Sequence, residues 1–219
     1  MRLQDHVEAS ICPYGCVVHK RIDRILFVPV RLVDGTEGSM TKVSATGLAG
    51  VHLVSLDPHD DPRGSLTEVY RREWLPEGRE MVQANLSRSA SNVLRGLHFH
   101  LRQADYWCFV SGAAFVGLFD LRDDSPTRGR KAETRIDADR DRTGLYLPPG
   151  VAHGFCALSE VRLLYFVDAY YTAEDEHGLA WNDPDVGIDW PVANPVLSDR
   201  DRANPPLAQV AASAPRYVG

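Results

Sequence analysis

The sequence predicts an all-β barrel or sandwich. Apolar runs are short, turn residues separate them at near-regular spacing, and no long stretch has helical period. In order, the candidate strands are 52–56 (H-L-V-S-L), 64–70 (G-S-L-T-E-V-Y), 80–85 and 93–100, the last carrying V-L-R-G-L-H-F-H. Then come 106–110 (Y-W-C-F-V), 115–121, 134–136, 144–147 and the long apolar run 161–171. Turn residues lie between them: Pro58 to Gly64, Ser111-Gly112, Asp123 to Pro126 and Pro148-Pro149-Gly150. Residues 71–77 read as one helical turn. The C-terminal part, with Asn182-Asp183-Pro184 and Asn204-Pro205-Pro206, reads as loop with a short helix. Upstream, 25–33 (I-L-F-V-P-V-R-L-V) reads as a strand, Asp34-Gly35 as a turn, and the Gly-, Ser- and Thr-rich 36–50 as loop or linker.

At 219 residues the chain suits one substantial domain with an appendage, and 44% hydrophobic residues supply a core. A net charge of −6 argues against generic nucleic-acid binding, which needs a basic excess, while leaving room for a local anion pocket. There is no run of about twenty apolar residues, so no membrane span is expected. The start, M-R-L-Q-D-H-V-E, lacks an apolar signal core, which points to the cytoplasm. The four cysteines make no dense disulfide framework; Cys108 and Cys156 sit in apolar runs as reduced core residues. Cys12-x3-Cys16-x2-His19 lacks a recognisable fourth zinc ligand.

The chemistry concentrates between Asn92 and Gly112, which hold Arg95, His98, His100 and Asp105. In a strand, residues two apart share a face, so His98 and His100 project together and Phe99 away from them. Two imidazoles on an inner sheet face are costly to bury unless something uses them.

Several motifs resemble the dTDP-4-dehydrorhamnose 3,5-epimerase family. They are D-D-P-R-G-S-L-T-E (60–68), Q-A-N-L-S (83–87), V-L-R-G-L-H (93–98), D-L-R-D-D-S-P-T (120–127) and P-P-G-V-A-H-G-F (148–155). L-S-E (158–160), W-N-D-P (181–184), I-D-W-P (188–191) and L-S-D-R-D (197–201) complete a collinear set. The resemblance divides the chain into an N-terminal extension (1–50), a jelly-roll domain (51–207) and a tail (208–219). It implies a cupin-type double-stranded β-helix, a homodimer, and metal-free action on a dTDP-linked 4-keto-6-deoxysugar.

Epimerisation beside a ketone needs a base on one face, an acid on the other, and stabilisation of the enolate. By the resemblance, His98 is the base, Asp201 the carboxylate that orients it, and Tyr165 the acid. Arg63 and Arg95 match diphosphate partners, for which forked guanidinium donors suit phosphate oxygens. Glu68, Gln83 and Asn85 match pocket positions, and Tyr171 the ring stacked on thymine. Glu176 and Arg200 match further ligand contacts, and His153 faces the sugar.

Two positions depart from the family pattern. Asp105 stands where a lysine is expected, which reverses the sign of the charge near the developing enolate. His100 replaces a glutamine. Together with His98 and His153 they complete the general cupin metal pattern, a four-ligand set suited to Fe, Mn, Ni or Zn. Three readings follow: a sugar-nucleotide epimerase acting at C3, C5 or both; a metal-dependent cupin enzyme using His98, His100, Asp105 and His153; or a non-catalytic nucleotide-sugar binder.

Overall fold

The computed structural model describes residues 42–75 and 79–210. The expected strand at 25–33, the turn at Asp34-Gly35 and the Cys12/Cys16/His19 grouping lie outside the described residues.

Two antiparallel sheets face each other. The first is ordered β1 (Lys42–Ala45), β2 (His52–Ser55), β10 (Thr143–Leu147), β7 (Asp105–Ser111), β12 (Val161–Val167) and β5 (Gln83–Ser89). The second is ordered β13 (His177–Gly178), β6 (Leu94–Phe99), β11 (Val151–Ala157), β8 (Ala113–Asp120) and β9 (Lys131–Asp137). A separate hairpin pairs β3 (Pro58–Asp61) with β4 (Gly64–Thr67). The α-helices are single turns: α1 (Ala138–Asp141) between β9 and β10, then α2 (Asp199–Arg202) and α3 (Leu207–Val210) after the last strand. This is the all-β architecture that the strand pattern predicts, in the jelly-roll form that the family resemblance implies.

The main core lies between the sheets, where Trp107, Phe109, Val116, Leu118, Leu145, Phe155 and Leu163 pack together. Alternation along β7 sends Trp107 and Phe109 inward and Tyr106 and Cys108 to a second cluster on the outer face. That cluster is covered in part by Val69, Tyr70, Trp74 and Met81. Both faces of β7 are therefore buried, which is why the strand reads as a continuous apolar run rather than an alternating one. A third cluster lies behind the second sheet, where Leu97, Phe99 and Phe119 meet Leu179 and Val186, with Leu207 and Val210 of α3 beside them.

The structure corrects several boundaries. Residues 42–45, expected as linker, form β1 paired with β2, and the intervening turn closes through hydrogen bonds from Thr46 N to Val51 O and from Val51 N to Leu48 O. Buried Asp120 braces that turn from below: it binds the Arg122 guanidinium, whose Nη2 donates to Ala49 O at 2.6 Å. Residues 58–61, expected as turn, are β3. The strand expected at 80–85 runs instead from Gln83 to Ser89, in unbroken register with β12. β12 stops at Val167 because Asp168 turns inward, its carboxylate accepting from Ala104 N at 2.8 Å. β11 was not among the expected strands: it follows directly on Pro149-Gly150, and its residues V-A-H-G-F-C-A are all buried, so no alternation marks it.

Candidate active site

β6 carries the first functional side chains, and it is irregular. His153 of β11 pairs with His98, but Phe155 pairs with Arg95, so three residues of β6 span two of β11. The bulge puts Arg95 and His98 on one face despite their odd spacing, while Leu97 and Phe99 point into the outer cluster. Gly96 at the bulge has φ +122, and a Cβ there would lie 2.7 Å from both Gly154 Cα and His153 O. Only glycine fits this crossing.

The two sheets enclose a cavity of about 440 Å³. The second sheet contributes Arg95, His98 and His153. The first contributes Asp105 and Trp107 from β7, Tyr165 from β12, and Gln83 and Asn85 from β5. Tyr165 stands beside Trp107 on one side and Asn85 on the other. One rim is closed by Tyr171 and Glu176, which follow β12, and by Ser198, Arg200 and Asp201.

The last three belong to L-S-D-R-D. Ser198 caps α2, its Oγ accepting from Asp201 N at 3.0 Å. This local turn aims the buried Asp201 carboxylate at His98, whose Nε2–H donates to Oδ1 at 2.5 Å. That hydrogen bond makes Nδ1 the nitrogen that carries the lone pair whenever the imidazole is neutral. Burial works to raise the Asp201 pKa, but the His98 hydrogen bond and charge outweigh it and hold the carboxyl below the usual range. At the rim, burial of Glu176 is likewise outweighed by the Arg200 guanidinium that ion-pairs with it. Burial raises the Tyr165 phenol above its ordinary value, helped by the Asp105 and Glu176 charges, so it stays protonated at neutral pH.

His100 and His153 occupy a second corner with Asp105. Each donates its Nδ1–H to a backbone carbonyl, His100 to Asp175 O at 2.8 Å and His153 to Val151 O at 2.9 Å. Their Nε2 atoms lie 3.8 Å from Asp105 Oδ1 and Oδ2 respectively. Asp105 accepts from Gln103 Nε2 at 2.8 Å and from the Trp107 indole at 3.1 Å. Burial brings the His153 imidazole down to about 4, so it is neutral at physiological pH.

A family model described as dTDP-4-dehydrorhamnose 3,5-epimerase matches residues 45–209. The chain belongs to this family. Its relatives include the dTDP-4-dehydrorhamnose 3-epimerase of Streptomyces niveus, 42% identical over 164 residues, which are 71% of this chain and 79% of that protein. The dTDP-4-dehydrorhamnose 3,5-epimerase of Neisseria gonorrhoeae is 38% identical over 179 residues, 78% of this chain but only 54% of the gonococcal protein. Among solved structures, the Legionella pneumophila dTDP-6-deoxy-D-glucose-3,5-epimerase in complex with dTDP-4-keto-L-rhamnose matches with a TM-score of 0.76 at 30% identity, covering 82% of this chain and 100% of that one. The epimerase family thus includes members named for inversion at one carbon and members named for two.

Of the residues singled out in the sequence, His98, Tyr165, Asp201, Gln83, Asn85, Arg95, His153, Tyr171, Glu176 and Arg200 all line this one cavity. Arg63 and Glu68 do not. Arg63 is 89% exposed in the β3–β4 turn, paired with Asp61, and Glu68 pairs with Arg71 just beyond the hairpin. The four-residue metal set also changes: only His100, Asp105 and His153 bring ligating atoms together, within 4.8 Å of one another, because His98 is turned to Asp201.

Three supporting residues escaped the sequence reading. Trp107 is two residues from Asp105 on one strand face, a spacing that places its indole N–H beside the carboxylate. Gln103 sits in the connecting turn and braces Asp105 from the other side. Buried Asp175 accepts from the amides of Leu101, Arg102 and Gln103, pinning the turn that follows His100. Nothing local in the sequence links Asp175 to a turn more than seventy residues away.

Proposed function

We propose that this protein is an isomerase that epimerises a dTDP-linked 4-keto-6-deoxyhexose by removing and returning a proton beside the ketone. The observation that carries the reading is the placement of His98 and Tyr165 on opposing sheets of one cavity, with Asp201 behind the histidine. His98 Nδ1 takes the proton and Asp201 stabilises the resulting imidazolium. The neutral Tyr165 phenol delivers a proton to the opposite face of the enolate, which inverts the centre. Arg95 and Arg200 bind the diphosphate, while Gln83, Asn85, Glu176 and Tyr171 shape the pocket for sugar and base. Tyr171 is 65% exposed, as suits a ring that stacks on an incoming base.

Asp105 takes the place that the family resemblance gives to a lysine. Asp105 itself therefore supplies no positive charge to the enolate, and stabilisation there falls to another group on this wall of the cavity. A homodimer accounts for Arg63 and Glu68: the exposed β3–β4 hairpin of one protomer reaches the cavity rim of its partner. β5, the exposed edge of the first sheet with Leu86 66% exposed, offers the pairing surface. No helix among the described residues is long and apolar enough to cross a membrane.

Incubation with dTDP-4-keto-6-deoxyglucose in D2O tests the reading. Deuterium is expected at C3, C5 or both in wild-type protein, with H98N inactive. A folded protein that binds dTDP yet exchanges neither position is a nucleotide-sugar binder and not an epimerase.

A further inference from the structure

The corner formed by His100, Asp105 and His153 is built from acceptors facing acceptors. Each imidazole commits its Nδ1–H to a backbone carbonyl, so in the neutral ring the nitrogen that presents a lone pair toward Asp105 is Nε2. Neither Nε2 reaches the carboxylate: both separations are 3.8 Å, beyond hydrogen-bond range. Neither Nε2 has another hydrogen bond among the described residues. The Asp105 oxygens are meanwhile held in place by the Trp107 and Gln103 donors. Three lone-pair groups converging at this spacing, each oriented from behind, are the pattern of a cation site with its supporting shell already in place.

We propose that His100 Nε2, His153 Nε2 and Asp105 bind a first-row divalent transition-metal ion. Ligating atoms around an ion with bonds of about 2.0–2.2 Å stand roughly 3–4 Å apart, which the 3.8 Å pairs match. Two imidazoles and one carboxylate suit Zn, Fe, Mn or Ni rather than Ca or Mg. The surroundings agree. The ligands sit on rigid elements, His153 on β11, Asp105 on β7 and His100 just past β6, and His153 and Asp105 are buried. His98 is outside the set, so the proton-transfer pair and the ion do not compete for one side chain.

The use of the ion rests on the epimerase reading, although its binding does not. As the C–H bond breaks toward His98, the electron pair moves onto the ketone oxygen, and a cation on this wall supplies the positive charge that Asp105 alone would oppose. Asp105 then is not a lost lysine but one ligand of its substitute.

The test uses full-length chain purified without a chelating tag or column. Elemental analysis is expected to find about one equivalent of transition metal per chain. After EDTA treatment, Zn(II), Mn(II), Fe(II) and Ni(II) are each added separately, and binding is read by calorimetry and by the rise in melting temperature. H100Q and D105N should each bind at least about tenfold more weakly than wild type, the loss expected even from weakening a ligand's support. If D105N fails to fold, H100Q, whose side chain lies past the strand end, carries the comparison. Absence of stoichiometric metal together with no binding of Zn(II), Mn(II), Fe(II) or Ni(II) by folded wild type overturns the proposal. So does unchanged binding in folded H100Q. Deuterium exchange on the sugar nucleotide is read separately, so a failure of the epimerase reading leaves the metal measurement standing.

Discussion

Replacing Asp201 with asparagine probes the pairing on which proton abstraction depends. The carboxylate is buried, 2.5 Å from His98 Nε2, and held ionised at neutral pH. The substitution keeps the size of the side chain and an oxygen acceptor but removes the negative charge. A hydrogen bond to a charged group contributes about 1.5–3 kcal/mol against about 0.5–1.5 kcal/mol for a neutral one, and this difference of about 1–1.5 kcal/mol is felt most when His98 becomes an imidazolium. At 1.36 kcal/mol per decade, this slows abstraction roughly 5- to 13-fold. The assay is the initial rate of deuterium wash-in from D2O, followed by NMR, alongside dTDP affinity and melting temperature. Affinity for dTDP should change little, because the nucleotide contacts assigned to Arg95 and Tyr171 are untouched. An exchange rate within twofold of wild type in folded D201N would refute the reasoning, since His98 would then act without its partner.

Two further outcomes follow from the same geometry. Gly96→Ala forces a Cβ to within 2.7 Å of Gly154 Cα and His153 O, at a φ that L-residues rarely adopt; overpacking and backbone strain together should cost about 2–5 kcal/mol in urea unfolding. The His153 imidazole titrates near 4 in the folded chain against 6.5 unfolded, so between these values the unfolded chain binds the extra proton and stability rises with pH. In metal-stripped protein the contribution is complete above pH 6.5 and falls by up to about 3 kcal/mol toward pH 4, at about 1.4 kcal/mol per unit; His153→Leu should flatten that slope.

The strand pattern made the all-β barrel or sandwich legible, and the family motifs its jelly-roll form, because most strands kept one clear apolar run between strong turn residues. It failed where burial on both faces erased alternation, as in β11, and where polar residues occupied an edge strand, as in the second half of β5. The parity argument correctly put His98 and His100 into one cavity and Phe99 behind it. It could not show that they serve different corners, because that division depends on Asp201 and Asp175, each more than seventy positions downstream. Arg95 joins His98 only through a bulge, and odd spacing conceals it. Arg63 and Glu68 matched family motifs yet lie outside this chain's cavity, since a motif records residue identity and order and not where the fold places a side chain.

The central claim is that His98 and Tyr165 act on opposite faces of one bound sugar, and Tyr165→Phe tests it most directly. With the base intact and the acid removed, His98 should still wash deuterium into the substrate with retention, while formation of the inverted sugar falls at least about 100-fold. Inversion at the wild-type rate by folded Y165F would contradict the account.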